Sequence, residues 1–294
     1  MDRKSFLKTL SLLPLSASAM KLNELSTMAS NFATTEKMPV IFVGHGSPMN
    51  AIEDNEFSKG WKAAGAAITK PNAVLCISAH WETKGTWVTA MQKPQTIHDF
   101  GGFPQALFDV QYPAQGNPLL AGEIKTSIKQ TEVGLDNKWG LDHGCWSILN
   151  QMFPEANIPV LQLSLDYTKP AQYHYDLAAE LMWLRSKGVL IMGSGNLVHN
   201  LGMVAWDKLN VSGFGYEWAM EANEKMKKYI LGGEHKLLID YKSQGKAWDM
   251  AIPTPEHYLP LLYVLALKKE KETVSLFNDK AVAGSLTMTS VKIG

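Results

Sequence analysis

The chain has few cysteines, no excess of charge of either sign and no apolar run that suggests a membrane span. Among its 294 residues only Cys76 and Cys145 are cysteines, and their spacing does not suggest a disulfide framework or a cysteine-based zinc site. The 28 basic residues are balanced by 28 acidic ones, so no basic face is implied and nucleic acid is a poor candidate partner. The 46% of hydrophobic residues provide ample material for a globular core. Any bound metal must be held mainly by histidines and carboxylates.

The first 35 residues are predicted to lie apart from the fold. They begin with a charged stretch and a short apolar run, followed by Ala17-Ser18-Ala19, which is typical of a signal-peptide cleavage site. Arg3 and Lys4 open a segment similar to a twin-arginine export signal, with Lys4 where the second arginine would stand. We therefore expect a periplasmic protein; the alternative is a cytoplasmic protein with a disordered N-terminal extension. Residues 36–294 are expected to form one domain.

Apolar runs alternate with helical patterns along the rest of the chain. Strands are predicted over residues 38–43, 73–78, 158–164 and 188–193, with late strands over 273–278 and 285–292. Helices are predicted over residues 55–68, 118–130, 170–187, 218–230 and 257–267. A strand, a helix and a strand at this spacing form a βαβ unit with parallel strands. The expected fold is α/β, a single domain with a mostly parallel central sheet flanked by helices.

Four histidines follow the ends of separate apolar runs or stand at the start of a helix: His45, His80, His199 and His257. His45 comes one glycine after the first predicted strand, and His80 follows the second almost directly. His199 lies a few residues past the fourth. Ligands of an open parallel sheet bind beyond the carboxyl ends of its strands, so these side chains are expected to share one site. Because neutral imidazole is the commonest protein metal ligand, that site is predicted to hold a metal.

The other histidines are less clearly placed. His143 lies in the segment GLDHG, predicted as a loop, and is a candidate acid/base or substrate-binding group. His98 is a weaker candidate within residues 87–116, which are rich in Gly, Pro and aromatics and predict long loops with short elements. Such a long stretch inside a compact domain is usually functional. His174 and His235 are expected to be solvated residues of helix surfaces or loops.

Several of these segments resemble the class III extradiol ring-cleaving dioxygenases, specifically the 4,5-DOPA extradiol dioxygenase type. The matching segments are GHGSPMNAIEDN, SAHWETKG, TIHDFGGFPQALFDVQYPA, WGLDHGCWSIL, PVLQLSLD, GSGNLVHNL and TPEHYLPLLYVL. The resemblance runs from residue 38 to the C-terminal segment SLTMTSVKIG. It implies that residues 36–294 are an α/β dioxygenase domain with one divalent metal ion. The strand-end rule predicts that this metal lies at the C-terminal edge of the strands.

The resemblance also implies roles for the four histidines. His45, His80 and His257 correspond to metal ligands, and His199 corresponds to a further ligand or to an acid/base histidine beside the metal. The broader family has a glutamate as its third ligand, where this chain has His257. The neighbouring Glu256 is expected to point away from the metal. A histidine-only set suits Zn(II) at least as well as Fe(II), the metal of the family's oxygen chemistry.

The expected reaction opens the aromatic ring of a catechol with O2 to give a muconic semialdehyde-type product. His199 is the first choice for the base that takes the catechol proton, and His143 is the second. Two alternatives are a zinc-dependent hydrolase on the same metal site and a non-catalytic metal-binding scaffold. A serine hydrolase is disfavoured, because Ser194 has Met192 and Asn196 where the nucleophile motif requires glycines. No sequence feature indicates an oligomeric state.

Overall fold

The computed structural model describes residues 36–209 and 211–294, and its central element is a six-stranded sheet. The strands are, in chain order, β1 Val40–Gly44, β2 Ala73–Ser78, β3 Glu82–Thr83, β4 Thr86–Thr89, β5 Val133–Asp136, β6 Val160–Gln162, β7 Leu165–Asp166, β8 Val189–Gly195, β9 Val274–Phe277, β10 Ala281–Val282, β11 Leu286–Thr287 and β12 Ser290–Ile293. The order across the central sheet is β6-β2-β8-β1-β12-β9. Strands β6, β2, β8 and β1 are parallel to one another, whereas β12 is antiparallel to both β1 and β9.

The parallel strands β1, β2 and β8 are buried along their whole length. Val40 and Phe42 of β1 belong to one core cluster, and the alternate residues Ile41 and Val43 belong to another. Successive side chains of a strand point to opposite faces, so the two clusters cover the two faces of the sheet. Burial on both faces explains why these strands are continuous apolar runs in the sequence. The four strands predicted for the parallel part are confirmed, with ends that differ by at most two residues.

Helices cover both faces of the sheet. They are, in chain order, α1 Glu56–Ala66, α2 Gln105–Phe108, α3 Pro118–Ser127, α4 His143–Met152, α5 Ala171–Ala179, α6 Met182–Arg185, α7 Glu217–Gly232, α8 His235–Ile239, α9 Lys246–Ala251 and α10 Leu259–Ala266. Short 3-10 turns lie at Pro48–Ala51, Leu201–Met203, Trp206–Lys208 and Tyr241–Ser243. Helix α4 packs against α1, and α10 packs against α5 and β8. The described residues therefore form a single α/β unit around one sheet.

His143 begins helix α4, so the prediction of a loop at this position is wrong. Asp142 is the N-cap residue, and its side chain accepts a hydrogen bond from the backbone N–H of Cys145. All residues of α4 except Asn150 are buried. Gly140 and Gly144 flank His143 and favour a loop in the sequence, but Gly144 lies in the first turn of the helix.

Two other helices differ from their predicted bounds. The helix predicted over 170–187 is divided into α5 and α6, because the N–H groups of Glu180 and Leu181 bond to carbonyls three residues back and tighten the chain. The helix predicted from 257 begins at Leu259, with a proline in its first two positions. His257 therefore lies in the turn before α10 and not in its first turn, which is a correction to the sequence-based expectation.

The predicted export segment, residues 1–35, lies outside the described residues. In the part of the chain that the structure describes, no helix is both long enough and apolar enough to cross a membrane.

Candidate metal centre

Three of the four histidines singled out in the sequence converge on one point. The ring centroids of His45, His80 and His257 lie 5.0 to 5.2 Å from one another. One nitrogen from each ring lies within 4.8 Å of those of the other two. Nε2 of His45 and Nε2 of His80 are only 3.2 Å apart. Three imidazoles in this arrangement form a candidate metal site.

The sheet register brings two of these histidines together. His45 directly follows β1, and His80 comes two residues after the end of β2. Val43 of β1 and Ser78 of β2 are both paired with Ser194 of β8, the strand that lies between them. The two strands therefore end level with each other, one on each side of β8, and the histidines that follow them meet.

His257 reaches the same point because its backbone packs directly on the end of β8. The N–H of Asn196 donates to the carbonyl oxygen of His257 at 2.9 Å. A Cβ atom on Gly195 would lie only 2.0 Å from that same oxygen. Only glycine leaves room for this approach, so Gly195 is required for the turn that carries His257.

Ser194 fixes the tautomer of His45. Its hydroxyl donates to the carbonyl oxygen of Gly144 at 2.6 Å, and its Oγ lies 2.9 Å from Nδ1 of His45. A hydroxyl has one hydrogen, so Oγ acts as the acceptor toward the histidine, and Nδ1 of His45 carries the proton. The lone pair of His45 is consequently on Nε2, which faces His80.

Glu256 holds His257 in the corresponding way. Its Oε1 lies 3.0 Å from Nδ1 of His257 and also accepts from the hydroxyl of Thr254 at 2.9 Å. Burial alone would raise the pKa of Glu256, but the hydrogen bonds from His257, from a backbone N–H and from Thr254 together outweigh it and lower the pKa to about 2. The ionised carboxylate is an acceptor only, so Nδ1 of His257 is protonated and Nε2 is free. Glu256 thus contacts His257 at its outer nitrogen, Nδ1, which does not contradict the expectation that its side chain points away from the metal.

His80 and His143 share one carboxylate, that of Asp99. Oδ2 of Asp99 lies 3.3 Å from Nδ1 of His80 and 3.0 Å from Nδ1 of His143. The contact with His143 does not have the geometry of a hydrogen bond. Burial would raise the pKa of Asp99, and the contacts with His143 lower it overall. The rings of His80 and His143 are close, with centroids 3.9 Å apart. His143 therefore borders the three-histidine cluster on the side of Asp99.

His199 borders the cluster on another side. Its ring stacks on that of His257, with centroids 3.4 Å apart and planes inclined by 7°. One of its nitrogens groups with Glu256 and His257, although not with His45 and His80. Burial, followed by the neighbouring His257, lowers the pKa of His199 to about 3. The structure thus gives His199 a different position from the three convergent histidines.

The electrostatic environment keeps the cluster neutral and suited to a cation. Burial lowers the pKa of His45, His80 and His257, and for His45 and His80 the neighbouring histidines lower it further. Neutral imidazoles are the form that binds metals. Two nitrogens about 2.1 Å from one ion are separated by roughly 3.0 Å at a right angle and roughly 3.4 Å in a tetrahedron. The observed 3.2 Å between His45 and His80 lies between these values, so the residues fit a single metal ion.

Comparisons with known proteins show the family of the chain. Residues 38–285 match the family described as the catalytic LigB subunit of aromatic ring-opening dioxygenase. The chain belongs to this family. It is 44% identical to the 4,5-DOPA dioxygenase extradiol of Escherichia coli K12, over 89% of this chain and 96% of the relative. It is 34% identical to the 4,5-DOPA dioxygenase extradiol of Beta vulgaris, over 85% and 94% respectively.

A solved structure supports the same fold. The crystal structure of an uncharacterised protein from Escherichia coli K12 superposes with a TM-score of 0.76 at 39% identity, covering 88% of this chain and all of the other. The protein is therefore a metal-dependent extradiol dioxygenase, and none of the comparisons favours the hydrolase or the non-catalytic scaffold. The resemblance stated from the sequence motifs is confirmed.

The remaining candidates lie away from the metal cluster of the dioxygenase. His98 is turned to the carbonyl oxygen of Val110, to which its Nε2 lies 3.0 Å. His174 is fully buried and bonded to Tyr263, and His235 is half-buried, so the prediction that both are solvated is wrong. Cys145 is a residue of α4 and is buried in the core.

Sequence reasoning missed Asp99 and Ser194 as partners of the site histidines. One signal points to Asp99 in the sequence: it stands beside His98 in the long aromatic loop. Ser194 was considered only as a nucleophile, although it lies at the end of β8 between the two strands that carry His45 and His80. The pairing of β8 with both strands places Ser194 close to the histidines that follow them.

Proposed function

We propose that the dioxygenase binds one divalent metal ion through Nε2 of His45, His80 and His257, at the carboxyl ends of a mostly parallel sheet. The observation that carries this proposal is the oxygen atom that lies beside Nδ1 of each ring. Nδ1 of each ring faces an oxygen, which leaves three unprotonated Nε2 atoms toward one another. Metal-binding histidines are held by such outer partners in other proteins. Without a cation, three converging lone pairs would repel one another.

We propose a DOPA-like catechol and O2 as substrates and a muconic semialdehyde-type product. The names of the relatives support the substrate class. The wall of the site beside His143 is aromatic, because Phe100 packs edge-on against its ring at 5.6 Å. Phe100 in turn contacts Phe103 and Phe108. This cluster provides an apolar surface against which a catechol ring can stack.

Fe(II) is the metal we propose for catalysis, and Zn(II) is expected to occupy the same nitrogens when it is present. Held by these three histidines, Fe(II) would supply open coordination positions for the two catechol oxygens and O2. Glu256 is not a ligand in this proposal, because its carboxylate is engaged by His257 and Thr254. The donor set is therefore three histidines, which hold the ion on one side.

Two histidines are available to handle protons. We propose His199 as the base, because no hydrogen bond from another described residue engages its ring nitrogens and it stacks directly on His257. We propose His143 as the partner of the second substrate hydroxyl, since Asp99 faces its Nδ1 and leaves Nε2 toward the cluster side. An imidazole close to the reacting oxygens is the usual general base.

The test is oxygen uptake by Fe(II)-loaded protein supplied with L-DOPA under otherwise anaerobic handling. We expect uptake together with a yellow ring-opened product, and no uptake with tyrosine, which lacks the second hydroxyl. His45→Ala is expected to abolish both uptake and stoichiometric metal binding. His235→Ala, a histidine bonded to Tyr175 outside the cluster, is the matched control and should retain both. Metal retained in His45→Ala would contradict the ligand assignment.

We also propose that residues 1–35 are a twin-arginine-like export segment and that residues 36–294 act in the periplasm. The support is the charged start and the Ala17-Ser18-Ala19 sequence. N-terminal sequencing of the protein isolated from its native host tests this. A mature N-terminus near residue 20 is expected, and an intact Met1 would contradict export.

A further inference from the structure

The long aromatic loop is attached to the segment that precedes α4. In the structure this loop is the segment 90–117, which runs from the end of β4 to the start of α3 and contains the short helix α2. The N–H of Ile97 donates to the carbonyl of Leu141 at 2.7 Å, and the N–H of Leu141 donates to the carbonyl of Gln95 at 2.8 Å. The indole N–H of Trp146 donates to the carbonyl of Ile97 at 2.8 Å. These bonds hold the part of the loop just before residue 99 against the start of α4.

The carboxylate of Asp99 has two oxygens with different contacts. Oδ1 accepts the backbone N–H of His143 at 2.8 Å. This N–H is at the first residue of α4, one of the helix donors that have no partner inside the helix, and the helix dipole favours an anion there. With Oδ1 fixed, Oδ2 lies 3.0 Å from Nδ1 of His143 and 3.3 Å from Nδ1 of His80.

We propose that Asp99 is a positioning residue that sets the tautomer and orientation of both His80 and His143. An ionised carboxylate has no hydrogen to donate, so it favours a proton on both Nδ1 atoms that face it. Nε2 of His80 is then the metal-binding nitrogen, and Nε2 of His143 is left as an acceptor for the substrate. The Asp99 carboxylate thus orients both the metal ligand His80 and the proton acceptor His143. The inference rests on the metal site proposed above and extends it to the aromatic loop.

No second carboxylate in residues 36–209 and 211–294 takes this role. Asp142 is the nearest alternative, but its oxygens already accept from Ser78 Oγ at 2.7 Å and from Gln162 Nε2 at 2.6 Å. It also caps α4. Asp142 therefore stabilises the start of the helix, while Asp99 faces the rings.

The variant Asp99→Asn separates a tautomer-setting role from a merely structural one. An asparagine has the same shape, but it has one acceptor oxygen and an NH2 group that only donates. If the oxygen keeps the bond to the N–H of His143, the NH2 faces the two Nδ1 atoms and favours a proton on Nε2, which blocks metal binding by His80. If the amide is reversed, its NH2 opposes the backbone N–H. Neither orientation reproduces the carboxylate, whereas a structural role would tolerate the replacement.

The experiment measures the Kd for Zn(II) by competition with a chromophoric chelator, in the wild type, Asp99→Asn, Asp99→Ala and His98→Gln. Loss of an outer partner of a metal-bound histidine typically weakens binding about 10- to 100-fold. We expect that loss in both Asp99 variants. His98→Gln is the matched control from the adjacent position, because glutamine can keep the bond to Val110 and His98 does not contact the cluster. Its Kd should equal that of the wild type.

The outcomes distinguish this inference from the proposed function. If the wild type binds no zinc, or if His45→Ala binds it equally well, the metal site itself is wrong. If the wild type binds zinc and Asp99→Asn keeps the same Kd, the role of Asp99 is overturned while the metal site stands. The thermal midpoints of the metal-free proteins show whether each variant is folded.

A measurement on the wild type avoids the question of folding. The 15N chemical shifts of the imidazoles in the zinc-loaded protein report which ring nitrogen is protonated. We expect the Nδ1–H form for both His80 and His143. A proton on Nε2 of either ring would overturn the inference.

Discussion

Ser194 accepts a hydrogen bond from Nδ1 of His45 at 2.9 Å while its own hydroxyl donates to the carbonyl of Gly144 at 2.6 Å. The serine thereby connects the end of β8, the histidine after β1 and the first turn of α4. This arrangement leaves only Nε2 of His45 for a metal. It also gives a function to a serine that the sequence had suggested only as a weak nucleophile.

Replacing Ser194 with alanine is therefore expected to weaken metal binding. Without the acceptor oxygen, the His45 ring loses its fixed tautomer, and the Kd for Zn(II) should rise by about 10-fold or more. Ser147→Ala is the control, because Ser147 is a fully buried serine of α4 whose hydroxyl has no partner among the described residues. Chelator competition on both variants tests this. Equal affinities in the two would contradict the role given to Ser194.

Gly195→Ala is expected to damage the site through the backbone. The new Cβ would meet the carbonyl oxygen of His257 at 2.0 Å, so the turn carrying His257 must shift. Overpacking of this kind costs about 1 to 3 kcal/mol, and the displaced histidine should also reduce metal affinity. Urea unfolding and zinc competition measure the two effects.

The control for Gly195→Ala is Gly122→Ala. Gly122 lies inside α3, where an added Cβ would meet nothing within 4 Å. Alanine inside a helix is more favourable than glycine by about 0.5 to 1 kcal/mol, so this variant should be slightly stabilised and bind metal normally. If Gly195→Ala behaved like Gly122→Ala, the close packing of His257 on β8 would be refuted.

Much of the fold and part of the site could be predicted from the sequence. The strands that precede His45 and His80 were recognisable because they are buried on both faces and read as continuous apolar runs. The strand-end rule then correctly predicted that these two side chains meet. Both strands pair with β8 at Ser194, and this pairing could not be predicted because no local sequence pattern shows which strand lies between them.

The parts that could not be predicted depend on tertiary contacts. His143 is predicted in a loop because Gly140 and Gly144 flank it, and no local pattern shows the packing that buries α4. His174 was expected on a helix surface, but α5 packs against α10 and encloses it. The contact of Asp99 with two rings depends on backbone pairing between the aromatic loop and residue 141, across more than forty residues of chain.

The buried His174 gives a pH dependence that can be measured apart from the metal site. Burial lowers its pKa to about 4, against the opposing effects of Asp166 and of the Lys169 backbone. Because the unfolded chain binds the proton near pH 6.5 and the folded chain does so only near pH 4, the free energy of unfolding falls as the pH falls between these values. A difference of this size corresponds to at most about 3 kcal/mol.

The variant His174→Gln isolates this contribution. Glutamine does not titrate, so the loss of stability between pH 6.5 and pH 4 should be smaller in the variant than in the wild type. Urea unfolding of both metal-free proteins across this range provides the comparison, since the site histidines contribute equally to each. Parallel curves would show that His174 does not titrate as its burial implies.

The central claim is that one metal ion on three histidines opens a catechol ring, and a titration of metal-free protein with Fe(II) tests it most directly. Oxygen uptake with L-DOPA is measured after each anaerobic addition of Fe(II). The account predicts that activity rises with added iron and stops rising at one ion per chain, and that His80→Ala stays inactive at every point. A plateau at another stoichiometry, activity in His80→Ala, or no uptake by the fully loaded wild type would contradict it.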